Sequence, residues 1–337
     1  DGYVYATGSV RDREKILRFA KIEVEFSLSP QMLDFPVEDQ IYHNYSELTS
    51  ELKHLAKSNS KIAKLFSLGK SHEGRDIWAF RINSGVADES VGDSKPAIIY
   101  IGGHHAREHL SIEIPLMLIQ HILSQYNQNA PEFVHLVQSR DLHFVPMLNP
   151  DGAEWDIHNN SYNWWRKNRR QNGDGTFGVD LNRNYGFQWG TGGSSPEADS
   201  ETYMGPEPFS EPESKAIGDY IRKQQNITML LSFHTFSQLI LYPWSFKNQG
   251  IENQKDLAVY QRLANQMAEW NHYTPMQSSQ LYIASGDTTD WAYGEEKIFS
   301  FTFELDPGEW SVFSGGFYPG SNIIPDVFNK NLRPSLF

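Results

Sequence analysis

The feature that most constrains this chain is an alternation of short, continuously apolar runs with stretches whose apolar residues recur at helical spacing. Residues 96–101 read Pro-Ala-Ile-Ile-Tyr-Ile and end on Gly102-Gly103, the pattern of a strand buried on both faces. A helical stretch follows over 111–126, then a strand over 141–148, a helix over 212–224 and a strand over 228–233. Upstream, Leu48, Leu52 and Leu55 fall at helical spacing ahead of strand candidates at 62–68 and 77–82. Downstream, an apolar run over 239–242 precedes a helix over 256–270 and a last buried run over 299–305. Strands separated by helices predict an α/β fold with a mostly parallel, doubly wound sheet covered by helices on both faces. No internal repeat interrupts this order.

Two regions stand outside it. Residues 3–10 and 21–26 are strand-like around a charged helical patch at 11–19, and a Ser/Pro-containing break at 27–36 follows. This predicts a small β-α-β extension over 1–33 ahead of a large domain over 34–337. The segment 149–205 is rich in Asn, Gly, Ser, Trp and Arg without periodicity; a stretch this long without elements is expected to be a packed, functional loop region. At the C-terminal end, 324–337 reads as the start of a helix with no stop signal, so that helix is expected to be truncated. The first residue is Asp, with no signal-like segment before it, which suggests a processed piece of a longer, secreted precursor.

Composition narrows the chemistry. A formal net charge of −13 excludes nucleic acid and anionic membrane as partners, since both would repel the chain. No apolar run approaches the roughly 18 residues of a membrane span. The chain has no cysteine, so disulfides, thiol nucleophiles and thiolate ligands are all absent and any metal must rest on His, Asp or Glu.

In open α/β sheets ligands bind at the carboxyl ends of the strands. Three of the most apolar runs end on a candidate ligand or base: 98–101 lead into His105 and Glu108, 228–233 into His234, and 299–303 into Glu304. His105 and Glu108, three positions apart, can share one ion in a turn or a first helical turn. With His234 they would fill three positions of a tetrahedral Zn²⁺ and leave the fourth for water. Glu304 is then the candidate general base. The His-Glu-x-x-His pattern is absent, and His105 to Glu108 alone has the look of an ordinary surface cluster. The surrounding residues carry the argument.

Those residues run from about Tyr42 to Glu304: His104-His-Ala-Arg-Glu-His109, Asn149-Pro-Asp-Gly152, Trp165-Arg-Lys-Asn-Arg169, Gly178-Val-Asp-Leu-Asn-Arg-Asn184, Ser200-Glu-Thr-Tyr203, Ser232-Phe-His-Thr-Phe236, Leu281-Tyr282 with Gly286-Asp287, and Phe301-Thr-Phe-Glu304. In this order they resemble the zinc carboxypeptidase family of the carboxypeptidase A and B type, especially bacterial carboxypeptidase T. The resemblance implies a mixed, eight-stranded twisted sheet in the single catalytic domain and one Zn²⁺ per chain held by His105, Glu108 and His234. It makes Glu304 the base and Arg166 the oxyanion stabiliser. Asn182, Arg183 and Tyr282 would bind the substrate's terminal carboxylate, Arg107 would hold the next peptide unit, and Asp180 would orient His105 by accepting its other ring N–H. Substrates would be peptides or proteins with a free C-terminus, and the enzyme a monomer.

Asp287 falls where the family lines the pocket for the departing residue, while Thr289 stands where basic-specific members carry Asp. This pair resembles carboxypeptidase T and implies a preference covering apolar and basic ends. Phe236 departs from the Tyr of pancreatic members, and the 1–33 extension resembles the tail of the family's inhibitory pro-segment. The competing readings are a cell-wall peptide amidase or deacylase on the same scaffold, disfavoured because Asn182, Arg183 and Tyr282 are all present, and a non-catalytic binding module, disfavoured because Glu304 and the three ligands are intact. Acidic pairs such as Asp199 with Glu201 and Glu295 with Glu296 are either calcium ligands, as in some secreted proteases, or solvated faces; no EF-hand-like loop is present, and the sequence does not decide between the two.

Overall fold

Eight strands form one sheet in the computed structural model, which describes residues 35–86, 94–308 and 316–337. In chain order they are β1 (Ala63–Lys70), β2 (Asp76–Ile82), β3 (Ala97–Ile101), β4 (Asp141–Val145), β5 (Ile227–Thr235), β6 (Leu239–Tyr242), β7 (Thr274–Gln277) and β8 (Phe299–Leu305). Across the sheet the order is β1-β2-β4-β3-β5-β8-β6-β7. The four central strands, β4, β3, β5 and β8, are mutually parallel. Antiparallel pairs join β1 to β2, β2 to β4 and β6 to β8, and a second parallel pair, β6 with β7, closes one edge, so the sheet is mixed.

The helices are α1 (Tyr45–Ser58), α2 (Leu110–Asn127), α3 (Pro131–Ser139), α4 (Pro150–Asp156), α5 (Pro212–Lys223), α6 (Gln254–Asn271), α7 (Thr288–Gly294) and α8 (Ile324–Leu336). They cover both faces. On one side Leu48 and Leu52 of α1, the apolar residues of α2, and Tyr260, Ala264 and Met267 of α6 join Val327 and Phe328 of α8 in a single core. On the other, Ile217 and Ile221 of α5 and Trp291 and Ala292 of α7 pack on the sheet. Strand β3 shows why its run is apolar throughout: Tyr100 faces the first core, Ile99 and Ile101 the second.

The expected strands and helices are present with shifts at their ends, and the sequence reading passed over α3, α4, α7 and β7. Segment 149–205 is irregular apart from α4 and one short turn of helix, Leu181–Arg183. No helix among the described residues is long and apolar enough to cross a membrane. The predicted elements at 3–10, 11–19 and 21–26 lie outside the described residues.

Candidate active site

The site begins where the chain leaves β3. A Cβ on Gly102 would lie 2.2 Å from the Ser111 carbonyl oxygen and 2.7 Å from that of Pro146, so only glycine permits this approach. Pro115, inside α2, has no N–H to offer the Ser111 carbonyl, which leaves that oxygen outside the helical ladder and against Gly102. Gly103 follows at φ +65°. The chain then turns through 104–109 before α2, and both His105 and Glu108 are buried in this turn.

His234 and Glu304 lie inside β5 and β8, not beyond their ends as the sequence runs suggested. The strands are neighbours and the register sets His234 directly beside Glu304. His105 Nδ1 is 2.8 Å from Glu108 Oε1, His234 Nδ1 is 2.9 Å from Glu108 Oε2, and the two Nδ1 atoms are 3.2 Å apart. Three electron-pair donors thus converge on one point.

The outward ring nitrogens show how that arrangement is held. His105 Nε2 is 3.1 Å from Asp180 Oδ1. Burial works to raise the Asp180 carboxyl, but Arg166, Arg183 and His105 outweigh it and hold it well below the usual range. A carboxylate only accepts, so His105 carries its proton on Nε2 and presents a bare Nδ1 inward. His234 Nε2 is likewise engaged, 3.1 Å from Ser232 Oγ. Burial opposes ionisation of Glu108 too, yet the two imidazoles keep its carboxyl below the usual value. Two imidazole nitrogens and a carboxylate, spaced 2.8 to 3.2 Å, suit the corners around an ion with bonds of roughly 2.0–2.1 Å, for which about 3.3 Å is expected. The donor set fits zinc.

Asp180 is the hub of the site. Its Oδ2 accepts from Arg166 Nε at 3.0 Å and Nη2 at 2.9 Å, and its Oδ1 also accepts from the Asn182 backbone N–H at 3.0 Å. Arg183 is buried, its Nε donating to the Gly193 carbonyl and its Nη1 to that of Asn182, and its guanidinium lies 5.7 Å over the Tyr282 ring. Thr288 fixes the Asn182 amide by donating to Oδ1 from both N and Oγ1 at 3.0 Å. Glu304, Asn182, Arg183 and Tyr282 line one recess with Asp287 and Thr289. Asp287 caps α7 through Oδ1, which accepts from Thr289 N, Thr289 Oγ1 and Asp290 N, while its buried Oδ2 has no partner.

The recess opens into a cleft of about 340 Å³ whose walls include His105, Glu108, Arg166, Tyr282 and Glu304. Burial pushes the Glu304 carboxyl up to about 7, with Glu108 adding to it and His234, Arg166 and Arg183 pulling the other way. Arg107 stands beside the cleft, donating to the Trp164 carbonyl and to Glu201, with its guanidinium 4.3 Å over Phe317. Every candidate ligand, base and substrate-binding residue named from the sequence is therefore at this one locality. The sequence reading missed the apolar wall, Trp164 and Phe317, and the supports Ser232 and Thr288. Ser232 was open to inference, because i and i+2 share a face of a strand; Trp164 and Phe317 come from irregular segments, where no periodicity signals a shared wall.

Three converging donors that fit a metal, at the C-terminal side of the parallel strands and beside two arginines and a half-buried carboxyl, suit a metallohydrolase. The sequence profile described as zinc carboxypeptidase matches residues 48–333, and the chain belongs to that family of metallocarboxypeptidases. It is 36% identical to a zinc carboxypeptidase of Saccharothrix mutabilis subsp. capreolus, over 88% of this chain and 69% of that protein. It is 32% identical to carboxypeptidase B of Astacus astacus, over 84% and 91%. Among solved structures it is similar to thrombin-activatable fibrinolysis inhibitor (TM-score 0.79, 26% identity, 88% of this chain and 73% of that one). It is similar too to carboxypeptidase A of Helicoverpa armigera (0.77, 29%, 87% and 72%).

Proposed function

We propose that this enzyme removes single C-terminal residues from peptides, taking apolar and basic ends, with Glu304 as the general base. The observation that carries the reading is the placement of Glu304 beside His234 on adjacent strands, between the triad and the arginine-lined recess. Bound by His105, Glu108 and His234, zinc would lower the pKa of a water toward about 7 and polarise the scissile carbonyl. Glu304 takes a proton from the attacking water and delivers it to the leaving amine; a carboxyl poised near 7 serves both directions.

Arg166, fixed by Asp180, brings a half-buried positive charge to the cleft where the carbonyl oxygen gains negative charge. Arg183 and Asn182 in the recess suit a terminal carboxylate, since a guanidinium fork meets it bidentately. Tyr282 is 48% exposed, and we assign it to close over that carboxylate from the rim. Arg107 would hold the peptide unit upstream. At the recess floor the partnerless Asp287 Oδ2 is an acceptor for a Lys or Arg side chain, while Leu241, Leu281 and Ala284 supply apolar contact.

The test is hydrolysis of blocked dipeptides ending in Phe, Leu, Arg, Lys or Glu, with chelator and zinc add-back. Chelator-sensitive release of Phe, Leu, Arg and Lys, with Glu poorest, is expected, and Asp287→Asn should lower kcat/KM for Arg and Lys selectively. Zinc-bound protein that releases none of them would overturn the reading in favour of an amidase.

A further inference from the structure

Among the described residues one other group of ligand-type side chains converges: His72, Glu211 and Glu213, with one ligand atom of each within 4.8 Å of the others. They come from distant parts of the chain. His72 sits in the turn between β1 and β2, Glu211 is the N-cap of α5, and Glu213 lies in its first turn. Both carboxylates are fully buried, whereas the His72 side chain is 28% exposed. The reaction at the cleft uses none of them.

Their hydrogen bonds do not balance. Glu211 is saturated: Oε1 accepts from Arg170 Nη1 at 2.9 Å and Ser210 Oγ at 2.7 Å, and Oε2 accepts from Asn168 Nδ2 at 2.8 Å and lies 2.8 Å from His72 Nε2. Glu213 is not. Its Oε2 shares the same Asn168 amide at 3.0 Å, and its Oε1, buried, has no partner. A buried carboxylate oxygen without a donor is a costly arrangement, and two carboxylates on one amide repel. Burial accordingly pushes the Glu213 carboxyl up to about 7, against the pull of Asn168 and His72.

A divalent cation resolves both deficits at once, since it neutralises the carboxylate pair and fills the vacant acceptor. One imidazole nitrogen and two carboxylate oxygens are a donor set for zinc-class ions, whereas calcium takes oxygen donors throughout. The His72 to Glu211 separation equals the 2.8 Å between His105 and Glu108 in the cleft. We infer that His72, Glu211 and Glu213 form a second site for a zinc-class divalent cation, structural in role. It staples the β1–β2 turn to α5 and, through Asn168, to the segment that carries Arg166: the Asn168 amide also accepts from the Val179 backbone N–H through Oδ1.

The experiment is a metal count on the full chain, dialysed against micromolar zinc and measured by mass spectrometry. Glu213→Gln, which keeps the shape and the bond to Asn168, should bind one zinc fewer than wild type and retain full carboxypeptidase activity; His72→Ala should do the same. The difference of one ion is read independently of the cleft, because His234→Ala should still hold one zinc and His234→Ala/Glu213→Gln none. A failure of the catalytic reading would leave that difference intact. Equal zinc content in wild type, Glu213→Gln and His72→Ala would overturn the inference and leave a proton shared within a buried ion pair. Uptake of calcium in preference to zinc would overturn it as well.

Discussion

Glu304 illustrates how a single residue sets function against stability. Its carboxyl titrates near 7 in the folded protein, against an ordinary value near 4.5, because burial in the cleft penalises its charge. The folded state therefore holds a proton that the unfolded state has lost between those values. Below about 4.5 the group costs nothing; the cost grows as pH rises toward 7 and is complete above it. Glu304→Gln removes a charge that must otherwise be buried. In zinc-free protein at pH 8 the variant should be more stable than wild type by about 1–2 kcal/mol, read from urea denaturation, a small figure because the side chain is partly exposed. The same variant should lose about 10²–10⁴ in kcat while still binding zinc. A Glu304→Gln enzyme with kcat within threefold of wild type would remove Glu304 from the role of base. The sequence displayed this residue clearly, at the end of an apolar run, but the partners that tune it come from the turn after β3, from β5 and from the loop at 166–183, a convergence only the fold supplies.

At the scale of elements, the joint between α1 and α2 is expected to weaken as pH rises. Asn44 caps α1 by accepting from the Glu47 N–H at 2.9 Å, with Glu47 reaching back to the Asn44 N–H at 3.1 Å. One residue earlier, His43 is bound to α2: its backbone N–H donates to Glu113 Oε1 at 2.7 Å and its Nδ1 lies 2.9 Å from Glu113 Oε2. Burial works to lower the imidazole, but Glu113 outweighs it and pushes His43 up to about 9. The folded value exceeds the unfolded value near 6.5, so the contribution is whole below pH 6.5 and is lost as pH rises through 9. The Tm of wild type should fall between pH 6.5 and 9.5 by more than that of His43→Gln, and parallel Tm profiles would remove the pair from the account of stability. This joint was invisible in the sequence: the helical spacing of Leu48, Leu52 and Leu55 predicted α1, but nothing in it names a partner 70 residues away. Short elements failed for a related reason. Helices α4 and α7, seven residues each, are too brief for a hydrophobic period to register, and β7 (Thr-Pro-Met-Gln) lacks the apolar alternation that marks a strand.

For the molecule as a whole, the legible part of the sequence is the part that physics repeats. Buried central strands must be apolar on both faces, and that requirement exposed β3, β5 and β8 and the ligands they position. The sheet order, the antiparallel pairings that flank the central strands and the cluster at His72 depend on contacts between distant segments and left no local trace. With zinc held as proposed, the same long-range character would make the metal a folding ligand: Glu108 and His234 are 126 residues apart in sequence and 2.9 Å apart in the fold, so an unfolded chain cannot reproduce the site. Zinc then binds the native state alone and raises its stability by mass action, about 4 kcal/mol at a free concentration 1,000 times Kd. Calorimetry should therefore find a Tm about 6 °C higher with zinc than with chelator. The shift should shrink in His234→Ala, and what remains there should vanish when Glu213→Gln is added. A wild-type Tm indifferent to chelator would mean that the native state does not hold zinc at that concentration or that the unfolded chain holds it as tightly, and would overturn the account of zinc as a folding ligand.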